Sequence, residues 1–231
     1  MNKSDIKNTM SKIFYSIFEK NVTFEIDEVF KKYAFDINLP IKVKDSMTGE
    51  ETWSIIENAD KYIKQKNMEI CGNKRGWMFP KKEIKSLEEI IANWEKANFI
   101  TTERLYNSTN CIRCDTIYSS NNIYHSVDLT KCSNSFFCDG CRNSELMIAS
   151  QRTTDSINCL RVDDSSNCSN SFNVICSGKI ANSYFIQDCS DLYECIFCSH
   201  ISNRKFCIGN MQYEEDEYYQ VKKTIIDWIL A

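Results

Sequence analysis

Apolar residues recur at helical spacing near the start of the chain and predict two amphipathic helices. The first stripe comprises Ile6, Met10, Ile13, Phe14, Ile17 and Phe18. The second comprises Ile26, Val29, Phe30 and Tyr33. Ser4 precedes the first stripe and is placed to cap its helix. Stripes of this kind usually mark the side of a helix that packs against a core.

The capping-box sequence Ser86-Leu87-Glu88-Glu89 predicts a third helix in the same region. One face of that helix carries Ile90, Ile91 and Trp94. Aromatic bulk for a small core comes from Trp53, Trp77 and Trp94. We therefore expect residues 1–106 to form a small, mostly helical domain with these faces turned inward.

The pattern changes abruptly at Asn107. Between Asn107 and Asn210 the chain holds 18 Ser, 13 Asn and 12 Cys, and charged helix formers become sparse. Regularly placed apolar residues persist, so the segment can bury apolar surface and is expected to fold rather than remain disordered.

This segment is built from short repeated units. Cys132-Ser133-Asn134-Ser135-Phe136 recurs as Cys168-Ser169-Asn170-Ser171-Phe172, which is an offset of 36 residues, and Asn182-Ser183-Tyr184-Phe185 echoes both. Units are spaced roughly 9 to 14 residues apart, most often about twelve. Such spacing predicts a β-solenoid, in which each unit supplies a strand and a turn. Two or three units per coil, or eighteen-residue coils, all fit this pattern.

Stacking suggests a place for each residue type in the solenoid. Equivalent positions lie above one another, so narrow interior rows favour Cys and Ser, whereas Phe, Ile and Tyr would fill wider rows. Asparagine tolerates left-handed backbone and forms side-chain ladders, which places it at corners.

A last helix is predicted after the array. The acidic run Glu214–Glu217 suits a helix start. Val221, Ile225, Trp228 and Ile229 form an apolar stripe, and we expect this stripe to cap the last coil or bind a partner. The predicted fold class is α+β, with an N-terminal domain (1–106), a solenoid (107–210) and a terminal helix (211–231).

Charge and hydropathy narrow the classes of function. A net charge of −4 and a pI near 5.4 argue against a nucleic-acid partner. Apolar runs are too short for a membrane helix. The start, Met1 to Asp5, lacks the apolar stretch of a signal peptide, so we expect cytoplasmic synthesis without secretion.

The chain holds thirteen cysteines, an odd number, and a reducing compartment makes disulfides the least expected explanation. Cys-x-x-Cys pairs occur at Cys111/Cys114, Cys138/Cys141 and Cys195/Cys198, the last followed by His200. The first two pairs are spaced like a four-cysteine zinc site, which is one alternative. Buried structural thiols explain every array cysteine at once, so no cofactor is the preferred expectation.

Catalytic motifs are sparse. His125 and His200 are the only histidines, and a cysteine-based enzyme with a reactive thiol near His200 is the weaker alternative. The sequence carries no phosphate-binding glycine loop, metalloprotease helix motif or nucleophile elbow. We therefore expect a protein that is not an enzyme.

The close of the array, from Asn203 to Tyr213 and on to Glu215 and Tyr218, resembles a family of cysteine-rich repeat proteins from uncultured bacteria and large tailed phages. In that family a similar Lys-aromatic-Cys-Ile, Asn-x-Gln-Tyr close leads into a helix. The resemblance covers under half of the chain. Many relatives begin with a zinc-ribbon-like segment, which residues 1–106 lack, since they hold only Cys71.

Together these observations predict a non-enzymatic structural or assembly protein that binds a protein partner or forms homo-oligomers. A phage virion component, such as a capsid decoration or a fibre-like protein, is its most concrete form. A zinc-binding interaction module using Cys111, Cys114, Cys138 and Cys141 is the main alternative.

Overall fold

A computed structural model describes residues 1–71 and 77–231. Its order of elements confirms the predicted α+β class: a helical N-terminal segment, a β-solenoid of about nine turns and a C-terminal helix. The helices are α1 (Lys3–Phe18), α2 (Ile26–Tyr33), α3 (Gln65–Cys71), α4 (Leu87–Trp94) and α5 (Glu215–Leu230).

The strands divide between a small N-terminal set and the solenoid. Outside the solenoid stacking lie β1 (Ile41–Lys44), β2 (Glu51–Ser54), β3 (Tyr62–Lys64) and β4 (Ile100–Thr102). The solenoid contains β5 (Leu105–Tyr106), β6 (Thr109–Ile112), β7 (Asp115–Tyr118), β8 (Asn121–Tyr124), β9 (Val127–Thr130), β10 (Ser133–Phe136), β11 (Glu145–Ile148), β12 (Ile157–Asp163), β13 (Ser166–Ile175), β14 (Gly178–Ala181), β15 (Tyr184–Gln187), β16 (Ser190–Ser199), β17 (Ser202–Ile208) and β18 (Met211–Gln212).

One coil of the solenoid contains twelve residues. Parallel pairing joins Ser133 to Asn121 and to Glu145, an offset of twelve in each direction, and the same offset holds from β5 to β17. Coils of eighteen residues, or of two or three units, are therefore wrong. The 36-residue offset of the sequence repeat spans three coils rather than one.

Each coil is divided into triplets by left-handed backbone. From Asn107 to Phe206 every third residue has a positive φ, and the position falls on glycine only at Gly140. Because a single left-handed residue turns the chain sharply, a twelve-residue coil has four corners. Every asparagine of the array except Asn121 has a positive φ, which confirms the prediction that asparagine occupies corners.

The residue after each corner points into the coil. In one coil these inward positions are Ser135, Cys138, Cys141 and Ser144, all of them buried. Inward positions are three residues apart, so two neighbouring inward cysteines produce a Cys-x-x-Cys pair without any metal. All array cysteines except the corner residue Cys176 occupy such positions, and all of these are buried except the half-buried Cys111. The expectation that every array thiol is buried is therefore wrong for Cys176, which is exposed.

The hydroxyl groups of inward serines form hydrogen bonds that join one coil to the next. The Ser150 Oγ donates to the carbonyl of Ile148 (3.2 Å) and accepts the amide of Val162, which lies one coil further on (3.1 Å). Ser126 and Ser177 make the same two bonds. A buried amide without an acceptor is costly, so a small inward side chain that both donates and accepts stabilises the stack.

Replacing Ser150 by alanine removes the acceptor for the buried Val162 amide. We expect Ser150→Ala to lower the free energy of unfolding by about 1–3 kcal/mol, measured by urea denaturation. Ser119→Ala, at an exposed corner, is the matched control and should change it little. An equal effect of the two substitutions would contradict the role given to the inward hydroxyl.

A second apolar column lies on the outside of the coils. It comprises Ile112, Tyr124, Phe136, Ile148, Leu160, Phe172, Tyr184, Ile196 and Ile208. The helices α1, α2 and α5 cover this column, and Phe18 of α1 packs 5.5 Å from Phe172 and 5.6 Å from Tyr184 between ring centroids. The prediction that aromatic residues fill the interior rows was wrong, because the inward positions before Arg204 hold only small, aliphatic and sulfur-containing side chains.

The first two helices have the predicted buried stripes, with Ile6, Met10 and Val29 among the core residues. The cap of α1 differs, since the side chain of Asn2 rather than Ser4 accepts a hydrogen bond from the free amide of Asp5. The buried Asp45 orders the adjoining turn by accepting from the amides of Met47, Thr48 and Lys64. These hydrogen bonds hold the pKa of Asp45 at about 2 despite the opposing effect of burial.

The third predicted helix forms, capped by Ser86 as expected, but it does not pack as predicted. Leu87, Ile90, Ile91 and Trp94 are all exposed, and α4 has no buried residue. Trp94 therefore adds nothing to a core, and the expectation of an inward-facing stripe was wrong.

The C-terminal end of the solenoid is closed by its own side chains. Gly209 and Asn210, both with positive φ, form a tight turn that pairs β17 with the antiparallel strand β18. The side chain of Asn210 accepts from the Ser199 amide (2.9 Å) and donates to the Ser199 carbonyl (2.8 Å). The side chain of Gln212 donates to the Lys205 carbonyl (2.7 Å). The Asn-x-Gln close thus satisfies backbone groups of the last coil.

Arg204 also lies at the C-terminal end of the solenoid. It occupies an inward position, in register with Leu192 of the preceding coil, and is exposed. A charged side chain at an inward position opposes the stacking of another coil, as charged residues do at the edges of natural sheets. The closed end therefore disfavours growth of the solenoid by end-to-end stacking of copies.

Candidate functional site

The terminal helix α5 packs along the last coils through one side. Its buried residues are Tyr218, Lys222, Ile226 and Ile229, which share a face at helical spacing. Phe206 of the last coil packs 5.5 Å from the Tyr218 ring. The acidic run at the helix start is exposed, where it interacts favourably with the helix dipole.

A buried ion pair fixes α5 on the solenoid. The Lys222 Nζ lies 2.6 Å from the Glu194 carboxylate, and the two side chains are only 9% and 6% exposed. The rings of Tyr184, Tyr219 and Tyr218 have centroids 5.3, 5.7 and 5.9 Å from the ammonium group. The ion pair and the cation–π contacts compensate a charge that would otherwise be costly to bury.

Two further polar groups surround this pair. The Tyr184 hydroxyl donates to the Ile17 carbonyl (2.6 Å), which ties α1 to the same coils. Among the described residues, the buried Tyr218 hydroxyl has no hydrogen-bond partner. Burial raises the pKa of both phenols, so neither ionises near neutral pH. These groups hold helices in place and offer no proton donor to solvent.

An exposed aromatic cluster lies beside α5. Phe185 and Phe197 stack at 4.5 Å from successive coils, and Trp228 of α5 packs against both rings. Trp228 is 64% exposed and Phe197 is 45% exposed. We call Phe185, Phe197 and Trp228 the aromatic surface. A groove of about 270 Å³ is lined by Phe185 and Phe197 of this surface together with Asn173 and Gln187.

The aromatic surface includes only part of the partner-binding stripe predicted from the sequence. Trp228 and Val221 face solvent and Ile225 is half-buried. Ile229 is buried within the core of the chain itself, so it is not available to a partner. Sequence reasoning missed Phe185 and Phe197. Arranging the array in rows of twelve would have revealed them, because they stack in one corner column.

The four cysteines of the zinc alternative do not come together. Cys111 and Cys114 lie in one coil, whereas Cys138 and Cys141 lie two coils further on, with the coil that contains Ser126 between them. Two coils separate the pairs by roughly 10 Å, and thiolates on one zinc ion are roughly 4 Å apart. Within residues 1–71 and 77–231, no three His, Cys, Asp or Glu side chains converge as metal ligands.

The histidines lie apart from the inward thiols. His200 is at an exposed corner, with its Nδ1 3.9 Å from Asp188, while Cys198 points into the coil. His125 Nε2 lies 3.0 Å from the Pro40 carbonyl oxygen, and burial lowers the pKa of His125. The Cys198 thiol donates to the carbonyls of Ile196 and Cys207, and the neighbouring Cys195 lowers the pKa of Cys198 to about 7, but Cys198 is only 1% exposed.

Burial should decide which thiols react. In a Cys71→Ala background at mild alkaline pH, we expect one fast equivalent of Ellman's reagent, at the exposed Cys176. The half-buried Cys111 should follow slowly, because burial raises its pKa to about 11. Cys176→Ser should abolish the fast phase. A fast phase that persists and maps to Cys198 would instead favour the cysteine-enzyme alternative.

A half-buried carboxylate on the solenoid surface predicts a pH effect. Burial raises the pKa of Asp139, and the neighbouring Asp128 carboxylate adds to this effect. The folded protein therefore holds this proton more tightly than the unfolded chain, so ionised Asp139 is destabilising at neutral pH, and less so as the pH falls.

We expect Asp139→Asn to raise the free energy of unfolding at pH 7, and the gain to shrink as the pH approaches 4. Urea denaturation at several pH values measures this gain. Asp60→Asn, at an exposed site, is the control. A gain that is independent of pH would contradict the assignment to Asp139.

In the part of the chain that the structure describes, none of the helices has the length and apolar character needed to cross a bilayer. The chain matches no model of a known protein family. No curated protein is significantly similar to it in sequence.

Proposed function

We propose that this chain is a non-enzymatic structural or assembly protein, in which a rigid solenoid presents the aromatic surface to a protein partner. The supporting observation is the position of Trp228, which is 64% exposed although it packs against Phe185 and Phe197. Exposed aromatic residues held on rigid elements are typical anchors of protein interfaces, because they bury large areas at low entropic cost.

The most concrete form of this proposal is a virion component, such as a capsid decoration or a fibre-like protein. About nine coils at ~4.8 Å per coil make a rod of roughly 40 Å, a suitable spacer between a particle and a second component. Buried thiols and aliphatic side chains pack the interior of the coils, and inward serines join successive coils by hydrogen bonds, which favours a stiff rod.

Capture with the purified full chain tests the proposal. The chain carrying Trp228→Asp should lose a partner that the natural chain retains, while Tyr193→Asp, which changes an aromatic residue of similar exposure (48%) outside the aromatic surface, should retain it. For the virion form, the chain should be found in assembled particles by mass spectrometry. The proposal would be overturned if both variants retained the partner and the chain were absent from assembled particles.

A further inference from the structure

A cavity of about 400 Å³ lies where the N-terminal strand β4 meets the first coil of the solenoid. Its volume falls within the range of small-molecule sites in proteins, which is roughly 300–1,000 Å³. Apolar and polar side chains line it together, among them Ile56, Phe99, Tyr106, Gln65, Thr101 and Arg104. We call it the N-terminal cavity. It shares no residue with the aromatic surface, so its ligand is independent of the proposed function.

The ring of Tyr106 forms one wall of the N-terminal cavity. Tyr106 stacks on Tyr118 of the next coil, with ring centroids 4.8 Å apart and an angle of 10° between the planes. The strand β5, which carries Tyr106, is the first of its column, and Tyr118 lies outside the cavity lining. The face of Tyr106 that is turned away from Tyr118 is therefore open to a further planar ring stacked in the same column.

The strand that carries this ring is fixed in place. The Gln65 Oε1 of α3 accepts from the Leu105 amide, at 2.7 Å, just before Tyr106. Leu105 and Tyr106 also pair in parallel with Ile117 and Tyr118 of the next coil. A ligand ring would thus meet a wall that is already ordered, which lowers the entropic cost of binding.

Arg104 brings a hydrogen-bonding edge to the same cavity. Its Nε and Nη2 atoms donate to the two carboxylate oxygens of the buried Asp115, at 2.9 and 2.8 Å. A guanidinium group has five N–H donors, so the Nη1 group and the second N–H of Nη2 remain for a ligand. These two groups form the outer edge of a planar fork that suits two acceptor atoms side by side.

The charge of Arg104 is already compensated by Asp115. The side chain of Asp115 is 0% exposed and that of Arg104 is 28% exposed. Among the described residues that line the cavity, Arg104 is the only charged one. An anionic ligand would therefore add a negative charge without a counter-charge, whereas a neutral ring with two acceptor atoms on one edge would not.

We propose that the N-terminal cavity binds a free guanine nucleoside. The base stacks on Tyr106, and its O6 and N7 atoms accept from the outer edge of Arg104. Guanine carries these two acceptors side by side, and arginine is their commonest partner in protein–DNA complexes. Adenine instead carries an amino donor beside N7, so it would place one donor against another.

Isothermal titration calorimetry of the full chain with guanosine tests the proposal. We expect one site per chain, and adenosine should bind about tenfold to a hundredfold more weakly, because it lacks the second acceptor. In 7-deazaguanosine a carbon replaces N7, so it should bind about tenfold more weakly through loss of one hydrogen bond from a charged donor. A single-stranded oligonucleotide with one guanine should bind no more tightly than guanosine, because the described lining offers no second cation for phosphate.

Matched variants assign the binding to this cavity. Tyr106→Ala should weaken guanosine binding about tenfold through lost stacking. Tyr118→Ala, which removes an equally exposed ring (40%) outside the cavity, should leave it nearly unchanged. Arg104→Lys keeps a positive charge beside the buried Asp115 but lacks the planar fork, so it should lose the preference for guanosine over adenosine. Circular dichroism spectra equal to that of the natural chain show that the variants are folded.

Equal binding of guanosine and adenosine by the natural chain would overturn the proposal, as would no binding of guanosine at millimolar concentration. It would also be overturned if Tyr118→Ala weakened guanosine binding as much as Tyr106→Ala, or if the oligonucleotide bound more tightly than guanosine. None of these outcomes affects the capture experiment with Trp228→Asp, since that residue lies outside the N-terminal cavity.

Discussion

Replacing Lys222 by methionine is expected to cost about 3–5 kcal/mol of unfolding free energy, because it leaves the Glu194 carboxylate buried without a counter-charge. Glu194 is 6% exposed at its side chain and its carboxylate lies 2.6 Å from the Lys222 Nζ. Guanidinium denaturation followed by circular dichroism measures the loss. Lys223→Met, at the exposed neighbouring position of α5, should leave the midpoint nearly unchanged.

A double variant separates the effect of the buried charges from the effect of side-chain packing at this site. Lys222→Met combined with Glu194→Gln removes both charges, so most of the lost free energy should return, as it often does when a buried pair is replaced as a whole. If Lys222→Met were no more damaging than Lys223→Met, the pair would not hold α5 on the solenoid.

Truncating Phe18 is the second large effect. Phe18 is 1% exposed and lies between the rings of Phe172 and Tyr184, where α1 covers the outer apolar column. Phe18→Ala should lower the free energy of unfolding by about 3–5 kcal/mol, through lost burial and the cavity left behind. Tyr15→Ala removes a 53% exposed ring from the same helix and should have a much smaller effect.

Hydrogen exchange shows where this energy acts. Phe18→Ala should lower the exchange protection of the α1 amides more than that of the amides in the solenoid strands, because the coils keep their own serine and backbone hydrogen bonds. Equal loss of protection in α1 and in the coils would mean that helix and solenoid unfold as one unit. The outer column would then be part of the solenoid core.

Local chemistry made several elements predictable from the sequence. The stripe from Ile6 to Phe18 is helical because its apolar residues recur every three to four positions, and both α1 and α5 form where expected. Asparagine marks corners because its side chain tolerates left-handed backbone. The thiols are buried because small apolar side chains fit a narrow stack.

The three-residue spacing within the repeat is visible in the sequence, although the predictions did not use it. The Cys-x-x-Cys spacing was compared with zinc sites, although the same spacing follows from corners at every third residue. Rows of twelve would have placed Cys111, Ser135 and Cys159 in one inward column and Phe185 with Phe197 in one corner column. The candidate aromatic surface was therefore accessible from the sequence only once the coil length was known.

By itself the sequence determined the class of fold, the position of the array, the asparagine corners and the small residues of the interior, because these follow from periodicity and backbone preference. Only the tertiary structure decided the twelve-residue coil, since strand pairing joins distant residues and repeats of 36 allow several lengths. It also decided that aromatic residues lie beneath helices, that Glu194 meets Lys222, and that the apolar face of α4 stays uncovered. Each of these depends on which surfaces meet, and spacing along the chain does not encode that choice.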